Sequence, residues 1–144
     1  TSYEKLTREL EIPILSPEIA AGSFYTRADW IHRGASDMTR IDVLRGGVTG
    51  VRKMQAICEA FGVKCEVHMS GFANLQLLGA SSEDVCEYYE RGLLAPGVDY
   101  ETPPPYLHAI GDPMDADGFV HLSQEPGMGY QINWAYIEEN RVGD

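Results

Sequence analysis

Basic residues are scarce in this chain of 144 residues. It contains 11 Lys and Arg residues against 22 Asp and Glu residues, which gives a formal net charge of −11 at pH 7. Proteins that bind nucleic acid depend largely on Lys and Arg side chains to neutralise phosphates. The charge balance therefore argues against nucleic acid as a partner.

Cysteine is also rare, and its positions form no recognisable pattern. Cys58, Cys65 and Cys86 lie in apolar segments, and none of them belongs to a C-x-x-C motif. This spacing argues against a disulfide framework and against a zinc site. We expect three buried, reduced thiols that pack as small apolar side chains.

Long apolar runs are missing as well. No stretch of the sequence approaches the roughly 20 apolar residues that span a bilayer, and the first ten residues, TSYEKLTREL, lack the order of a signal peptide. We therefore expect a cytoplasmic protein that does not bind membranes. Apolar residues still make up 44% of the chain, which is enough for one sizeable core.

Strand-like and helix-like segments alternate up to Tyr89. A helix is predicted over the first ten residues, and strands are predicted at 12–16, 38–44, 63–69 and 84–89. Segments with apolar residues at helical spacing lie between the strands, at 24–32, 51–61 and 71–80. This βαβ pattern requires parallel strands. It fits both a doubly wound sheet and part of a (β/α)₈ barrel.

The pattern changes after Tyr89, where glycine and proline become frequent. The segment 115–137, DADGFVHLSQEPGMGYQINWAYI, is typical of short strands joined by turns at Asp117-Gly118 and Pro126-Gly127. We therefore expect the final part of the chain, from about Asp112, to be organised differently from the part before it.

Ionisable residues lie at or near the ends of all four predicted strands: Glu18, Asp42, His68 and Glu87. The carboxyl ends of parallel strands share one edge of a sheet, so these side chains are predicted to meet in one site. A carboxylate beside a histidine fixes the imidazole tautomer and favours general-base chemistry, which makes Asp42 and His68 a candidate dyad. Glu18 offers the hard oxygen that Mg²⁺ prefers, but Mg²⁺ needs further carboxylates.

Several segments together resemble a known family. IPILSPE, then GASDMTRIDVLRGGVTG placed ten residues before FGVKCEVH, and finally QEPGMGYQIN resemble the mandelate racemase/muconate lactonizing enzyme branch of the enolase superfamily, most closely the acid-sugar dehydratases. The resemblance implies that residues 1–111 are the C-terminal half of a TIM-type (β/α) barrel, strands 5 to 8. It also implies that residues 112–144 return to a capping domain absent from this sequence.

The resemblance also implies a role for each candidate site residue. Glu18 matches the metal-binding carboxylate of strand 5, and Asp42 and His68 match the Asp-His dyad of strands 6 and 7. Glu87 matches the strand 8 carboxylate that hydrogen-bonds the developing enolate oxygen, with Glu83 and Glu90 as alternatives. The implied cofactor is Mg²⁺, whose remaining ligands lie on upstream strands not contained in this sequence.

The implied reaction is Mg²⁺-dependent removal of the proton α to a carboxylate, through an enediolate. We expect dehydration of a sugar acid to a 2-keto-3-deoxy acid. The alternatives are a racemase or epimerase of a 2-hydroxy acid, which needs a second base upstream, and an inactive fragment or structural module. The implied partners are a small carboxylate substrate, the N-terminal remainder of the same protein and a second copy in a homo-oligomer. The 144 residues alone are expected to be inactive.

Overall fold

The computed structural model describes residues 2–19, 21–68, 71–91, 97 and 99–143. Helices and strands alternate through the first half of the chain, and this confirms the predicted α/β class. The elements are α1 (Ser2–Glu9), α2 (Ser23–His32), β1 (Met38–Ile41), α3 (Val43–Phe61), β2 (Lys64–Val67), α4 (Phe72–Gly79) and α5 (Trp134–Glu139).

The two strands β1 and β2 pair in parallel. Their register places Met38 opposite Lys64 and Ile41 opposite Val67. The residues that follow, Asp42 and His68, therefore leave neighbouring strands at the same level of the sheet, as parallel pairing requires.

The strand predicted at 12–16 is reduced to an isolated parallel bridge between Leu15 and Met38. Proline on each side of it, Pro13 and Pro17, has no N–H to donate to a ladder. The amide of Ile14 is bound by the Asp37 side chain at 2.8 Å instead of by a neighbouring strand. The segment still runs alongside β1, so Glu18 lies at the same edge of the sheet as Asp42 and His68.

The prediction of a strand at 84–89 is wrong. The amides of Val85 and Cys86 both donate to the carbonyl of Ser82, at 3.0 and 2.9 Å, so a turn uses the donors that a strand would need. The segment still contacts β2, because the amide of Cys65 donates to the carbonyl of Val85 at 2.7 Å and the thiol of Cys86 donates to the carbonyl of Cys65 at 3.0 Å. The segment thus lies beside β2 without forming a ladder.

The predicted boundary between strand 38–44 and the following helix is also corrected. Helix α3 begins at Val43, because the Asp42 side chain accepts a hydrogen bond from the Leu44 amide and caps the helix. Gly47 has φ 63° and ψ 175°, which interrupts the helical backbone inside α3. Gly47 therefore marks a kink within α3, in the segment between the predicted strand 38–44 and the predicted helix 51–61.

The described residues form one apolar core, which lies between the strands and helices α2, α3 and α4. Ile41, Val51, Met54, Cys58 and Cys65 are fully buried in it. Burying a side chain of the size of Met or Val stabilises the fold by about 1.5–3 kcal/mol, so this layer holds the edge that carries Asp42 and His68 in place.

The final part of the chain contains isolated antiparallel bridges, Leu107–Ile132 and Met114–Val120, in place of the predicted short strands. Gly118 and Gly127 have positive φ angles, as the predicted turns require. Helix α5 was not predicted. It is capped by Asn133, whose side chain accepts from the Tyr136 amide at 3.2 Å. Among the described residues, no helix is long and apolar enough to cross a membrane.

Candidate active site

Three of the predicted site residues converge. Glu18, Asp42 and His68 each present a ligand atom, and these atoms all lie within 4.8 Å of one another. The residues come from three parallel segments that lie side by side, and each follows the point where its segment ends. They are 24 and 26 residues apart in sequence, so only the parallel arrangement brings them together.

Asp42 is the most deeply buried member, with 1% of its surface exposed. Its Oδ1 atom accepts from the Leu44 amide at 2.5 Å, which orients the carboxylate at the start of α3. Its Oδ2 atom lies 3.8 Å from Nδ1 of His68. One oxygen is thus fixed by the helix and the other is directed at the imidazole.

His68 leaves β2 immediately after Val67. Its amide donates to the carbonyl of Ile41 at 2.7 Å, so its backbone is tied to the end of β1. The Nδ1 atom is buried and lies 3.1 Å from Oε2 of Glu18, yet no described group meets it with hydrogen-bond geometry. A buried polar atom without a hydrogen-bond partner is costly, so its presence in this cluster calls for an explanation.

Glu18 is held at the site through its backbone by Arg27. The buried Arg27 guanidinium donates to the carbonyl of Arg40 at 2.7 Å, to that of Pro17 at 3.3 Å and to that of Glu18. Burial lowers the pKa of Arg27 below its ordinary value. The carboxylate of Glu18 is in turn paired with Arg45, from Nε to Oε1 at 3.2 Å.

Glu87 is not brought to this cluster. Its Oε2 atom lies 2.9 Å from Nζ of Lys64, the residue at the start of β2, whereas His68 follows the end of that strand. The alternative Glu90 is ion-paired with Arg40 of β1. The role of a carboxylate from this segment stays a prediction.

Sequence reasoning missed Arg27 and Arg45. Arg27 sits within helix α2, and a single arginine in an amphipathic helix gives no sign that it will be buried against carbonyl groups. Arg45 follows Asp42 by three residues in the glycine-containing segment. This closeness in sequence to a predicted site residue was the one signal that could have identified Arg45.

A family profile described as Enolase C-terminal domain-like matches residues 1–136. The chain belongs to the enolase C-terminal domain-like family. This confirms the family that the sequence motifs indicated.

Solved structures of relatives support the same fold for this enolase-family chain. The D-glucarate dehydratase of Agrobacterium tumefaciens, complexed with magnesium, is 44% identical with a TM-score of 0.92, and the match covers 99% of this chain and 37% of that one. A putative mandelate racemase/muconate lactonizing enzyme from Pseudovibrio sp. is 20% identical, with a TM-score of 0.77 and coverage of 99% and 37%. A third, from a marine actinobacterium and in complex with magnesium, is 22% identical, with a TM-score of 0.73 and coverage of 99% and 38%.

The enolase-family chain thus spans a little over a third of the length of these relatives. No curated protein matches its sequence. The relatives at 20% and 22% identity establish the fold alone.

The residues present fit part of a magnesium site. Glu18 supplies a carboxylate of the kind that Mg²⁺ prefers, and its ligand atom lies within 4.8 Å of those of Asp42 and His68. Asp42 is less suited as a ligand because one of its oxygens caps α3. A complete octahedral set requires more oxygen ligands than this cluster provides.

Proposed function

We propose that this chain carries the Asp-His dyad and one metal-binding carboxylate of an enzyme that removes the proton α to a carboxylate and dehydrates a sugar acid. The observation that carries the proposal is the convergence of Glu18, Asp42 and His68 within 4.8 Å. The 44% identity to a D-glucarate dehydratase supports the choice of dehydration among the reactions of the family.

In this proposal Asp42 orients His68. A carboxylate directed at Nδ1 favours the tautomer with its proton on that atom and leaves Nε2 free to accept or deliver a proton. The 3.8 Å separation is about 1 Å longer than a charge-assisted hydrogen bond, so a small rotation of the imidazole closes the dyad. His68 then moves a proton to or from the substrate, and Asp42 stabilises the charged ring.

Glu18 is the proposed ligand of Mg²⁺ in this chain. The metal, when bound, supplies a Lewis acid that stabilises negative charge on the substrate carboxylate. Arg27 keeps the backbone of Glu18 at the edge of the sheet, and Glu87 remains the proposed contact to the developing enolate oxygen. That last role requires the Glu87 carboxylate to leave Lys64.

We further propose that the remaining metal ligands lie in the part of the polypeptide that the relatives contain and this chain does not. Residues 1–111 would then form the C-terminal half of a (β/α) barrel, and residues 112–144 would pack on a capping domain. Calorimetric titration of Mg²⁺ into residues 1–144 alone is expected to give no specific binding. A monodisperse, cooperatively melting and magnesium-binding product would contradict this proposal.

The reaction is tested with the full-length polypeptide. A panel of aldonic and aldaric acids is incubated with the protein and Mg²⁺, and the 2-keto product is quantified with and without a chelator. We expect a magnesium-dependent keto product that is lost in His68→Asn. Substrate that is racemised without keto acid would favour the racemase or epimerase alternative, and substrates that all stay unchanged would contradict the proposal.

A further inference from the structure

The side chain of Asn74 bridges the two segments that carry the dyad. Its Nδ2 atom donates to the carbonyl of His68 at 2.8 Å, and its Oδ1 atom accepts from the amide of Val43 at 3.3 Å. Val43 directly follows Asp42, so one amide group contacts the backbone beside both dyad residues. Asn74 is 97% buried, with 3% of its surface exposed.

The chemistry at this position selects a carboxamide. The Val43 N–H can only donate and the His68 carbonyl can only accept, so the bridging group must be an acceptor at one end and a donor at the other. A carboxylate of the same size would accept from Val43 but repel the His68 carbonyl. A leucine would fill the space and leave both backbone groups without partners, which is costly in a buried position.

The backbone groups involved have few other partners available. Val43 is the first residue of α3, and the first amides of a helix have no acceptor within the helix. The Asp42 side chain satisfies the amide of Leu44, not that of Val43. The carbonyl of His68 lies beyond the last paired residue of β2. Asn74 therefore satisfies two groups at the point where both segments leave the sheet.

We propose that Asn74 is a positioning residue that sets the placement of His68 relative to Asp42. Nδ1 of His68 and Oδ2 of Asp42 lie 3.8 Å apart. Catalysis by an oriented pair depends on small displacements, since a misplacement of 1 Å can lower the rate about 100-fold. The expected effect on the reaction rate rests on the proposed function, whereas the placement of His68 by Asn74 does not depend on it.

The test compares Asn74→Leu and Asn74→Asp in the full-length protein with a matched control, Gln55→Leu. Gln55 is also a buried amide that donates to a backbone carbonyl, that of Leu77 at 3.0 Å, but it lies in the core away from the dyad. Gln55 also donates to Sγ of Cys86 and accepts from Arg52, so Gln55→Leu removes several hydrogen bonds of a buried amide and measures the general effect of such a loss.

The spectroscopic readout needs no substrate. The ¹⁵N chemical shifts of the two ring nitrogens of His68, assigned with His68→Asn, report which nitrogen carries the proton. We expect these shifts to change in both Asn74 variants and to match wild type in Gln55→Leu. Unchanged shifts in Asn74→Leu would overturn the inference, whatever the activity.

The kinetic readout separates positioning from stability. We expect kcat to fall about 10- to 100-fold in the Asn74 variants while KM stays within about threefold, and both constants to stay near wild type in Gln55→Leu. A kcat that is unchanged in Asn74→Leu, with a loss of thermal stability equal to that of Gln55→Leu, would show a purely structural role. If the wild-type protein has no activity on sugar acids, the proposed function fails and the ring shifts still decide this inference.

A measurement on the wild-type protein covers the case in which the variants do not fold. The amide hydrogen of Val43 is expected to be protected from exchange, because Asn74 is its acceptor. Exchange of this hydrogen as fast as that of an unpaired amide would show that the bridge does not persist and would overturn the inference.

Discussion

Nδ1 of His68 lies 3.8 Å from Oδ2 of Asp42, and the other oxygen of that carboxylate caps helix α3. The same side chain thus begins a helix and faces the imidazole. Its orientation is set by the backbone of α3 and does not depend on a bound substrate. The two functions can be separated by substitution, because asparagine caps a helix about as well as aspartate does.

Asp42→Asn is expected to keep the fold and lose the reaction. The amide still accepts from the Leu44 amide, so thermal unfolding of the full-length protein should stay near wild type. Activity should fall about 100- to 10,000-fold, because the charge that supports His68 is removed. Asp42→Ala should lose activity to a similar extent and also destabilise the protein by about 1 kcal/mol. Full activity in Asp42→Asn would refute the dyad.

Arg45→Gln is expected to strengthen Mg²⁺ binding. The Arg45 guanidinium pairs with the carboxylate of Glu18 and competes with a cation there. Exposed ion pairs contribute about 0.2–1 kcal/mol, so the dissociation constant measured by calorimetry should fall by up to about fivefold, and less at high salt.

Arg33→Gln is the matched control for that measurement, since Arg33 forms an exposed ion pair with Asp29 away from the cluster. It should leave Mg²⁺ affinity unchanged. Weaker binding in Arg45→Gln would show instead that Arg45 orients Glu18 for the metal.

Glu87→Gln is expected to lower kcat at least about 10-fold if its carboxylate stabilises charge in the transition state. Lys64→Gln breaks the same ion pair from the other side and should leave kcat near wild type. Equal and small effects of both substitutions would mean that the pair serves only stability. A large effect of Glu90→Gln alone would move the role to that residue.

The thiols are expected to react in a fixed order. Hydrogen bonding from the Cys65 thiol, and then from Gln55, lowers the pKa of Cys86 to about 7, whereas bonding to Cys58 and Cys86 together with burial raises the pKa of Cys65. The thiolate is the reactive form. Alkylation followed by mass spectrometry should therefore label Cys86 first, at a rate that rises as the pH passes through about 7.

The overall rate of that labelling should still be slow, because Cys86 is only 4% exposed and Cys58 and Cys65 are fully buried. In denaturant all three thiols should react at similar rates. Gln55→Leu removes one donor to Cys86 and should move the midpoint to higher pH. A rate in the native protein that continues to rise above pH 8 would contradict the lowered pKa.

The alternation of strands and helices was predictable because it follows from local patterns. β1, β2 and α4 lie where the patterns predicted them, with errors of at most three residues at their ends, whereas α3 begins eight residues earlier than predicted. These errors have local causes that residue propensities do not capture. The Asp42 side chain caps α3 and starts it earlier than expected, and the carbonyl of Ser82 accepts from the amides of Val85 and Cys86 in a turn. Helix α5 begins inside the segment 115–137, for which short strands were predicted, and Asn133 caps it.

The family, the α/β order and the placement of Asp42 and His68 at the ends of adjacent parallel strands could be predicted from the sequence alone. These follow from residue identity and from hydrogen bonding between near neighbours. Three contacts emerge only from the folded chain: Arg45 pairs with Glu18, Glu87 pairs with Lys64, and Asn74 joins the two dyad segments. Except for the bond from Asn74 to His68, which spans six positions, these contacts link residues 23 to 31 positions apart, and packing of the helices on the sheet selects which side chains meet.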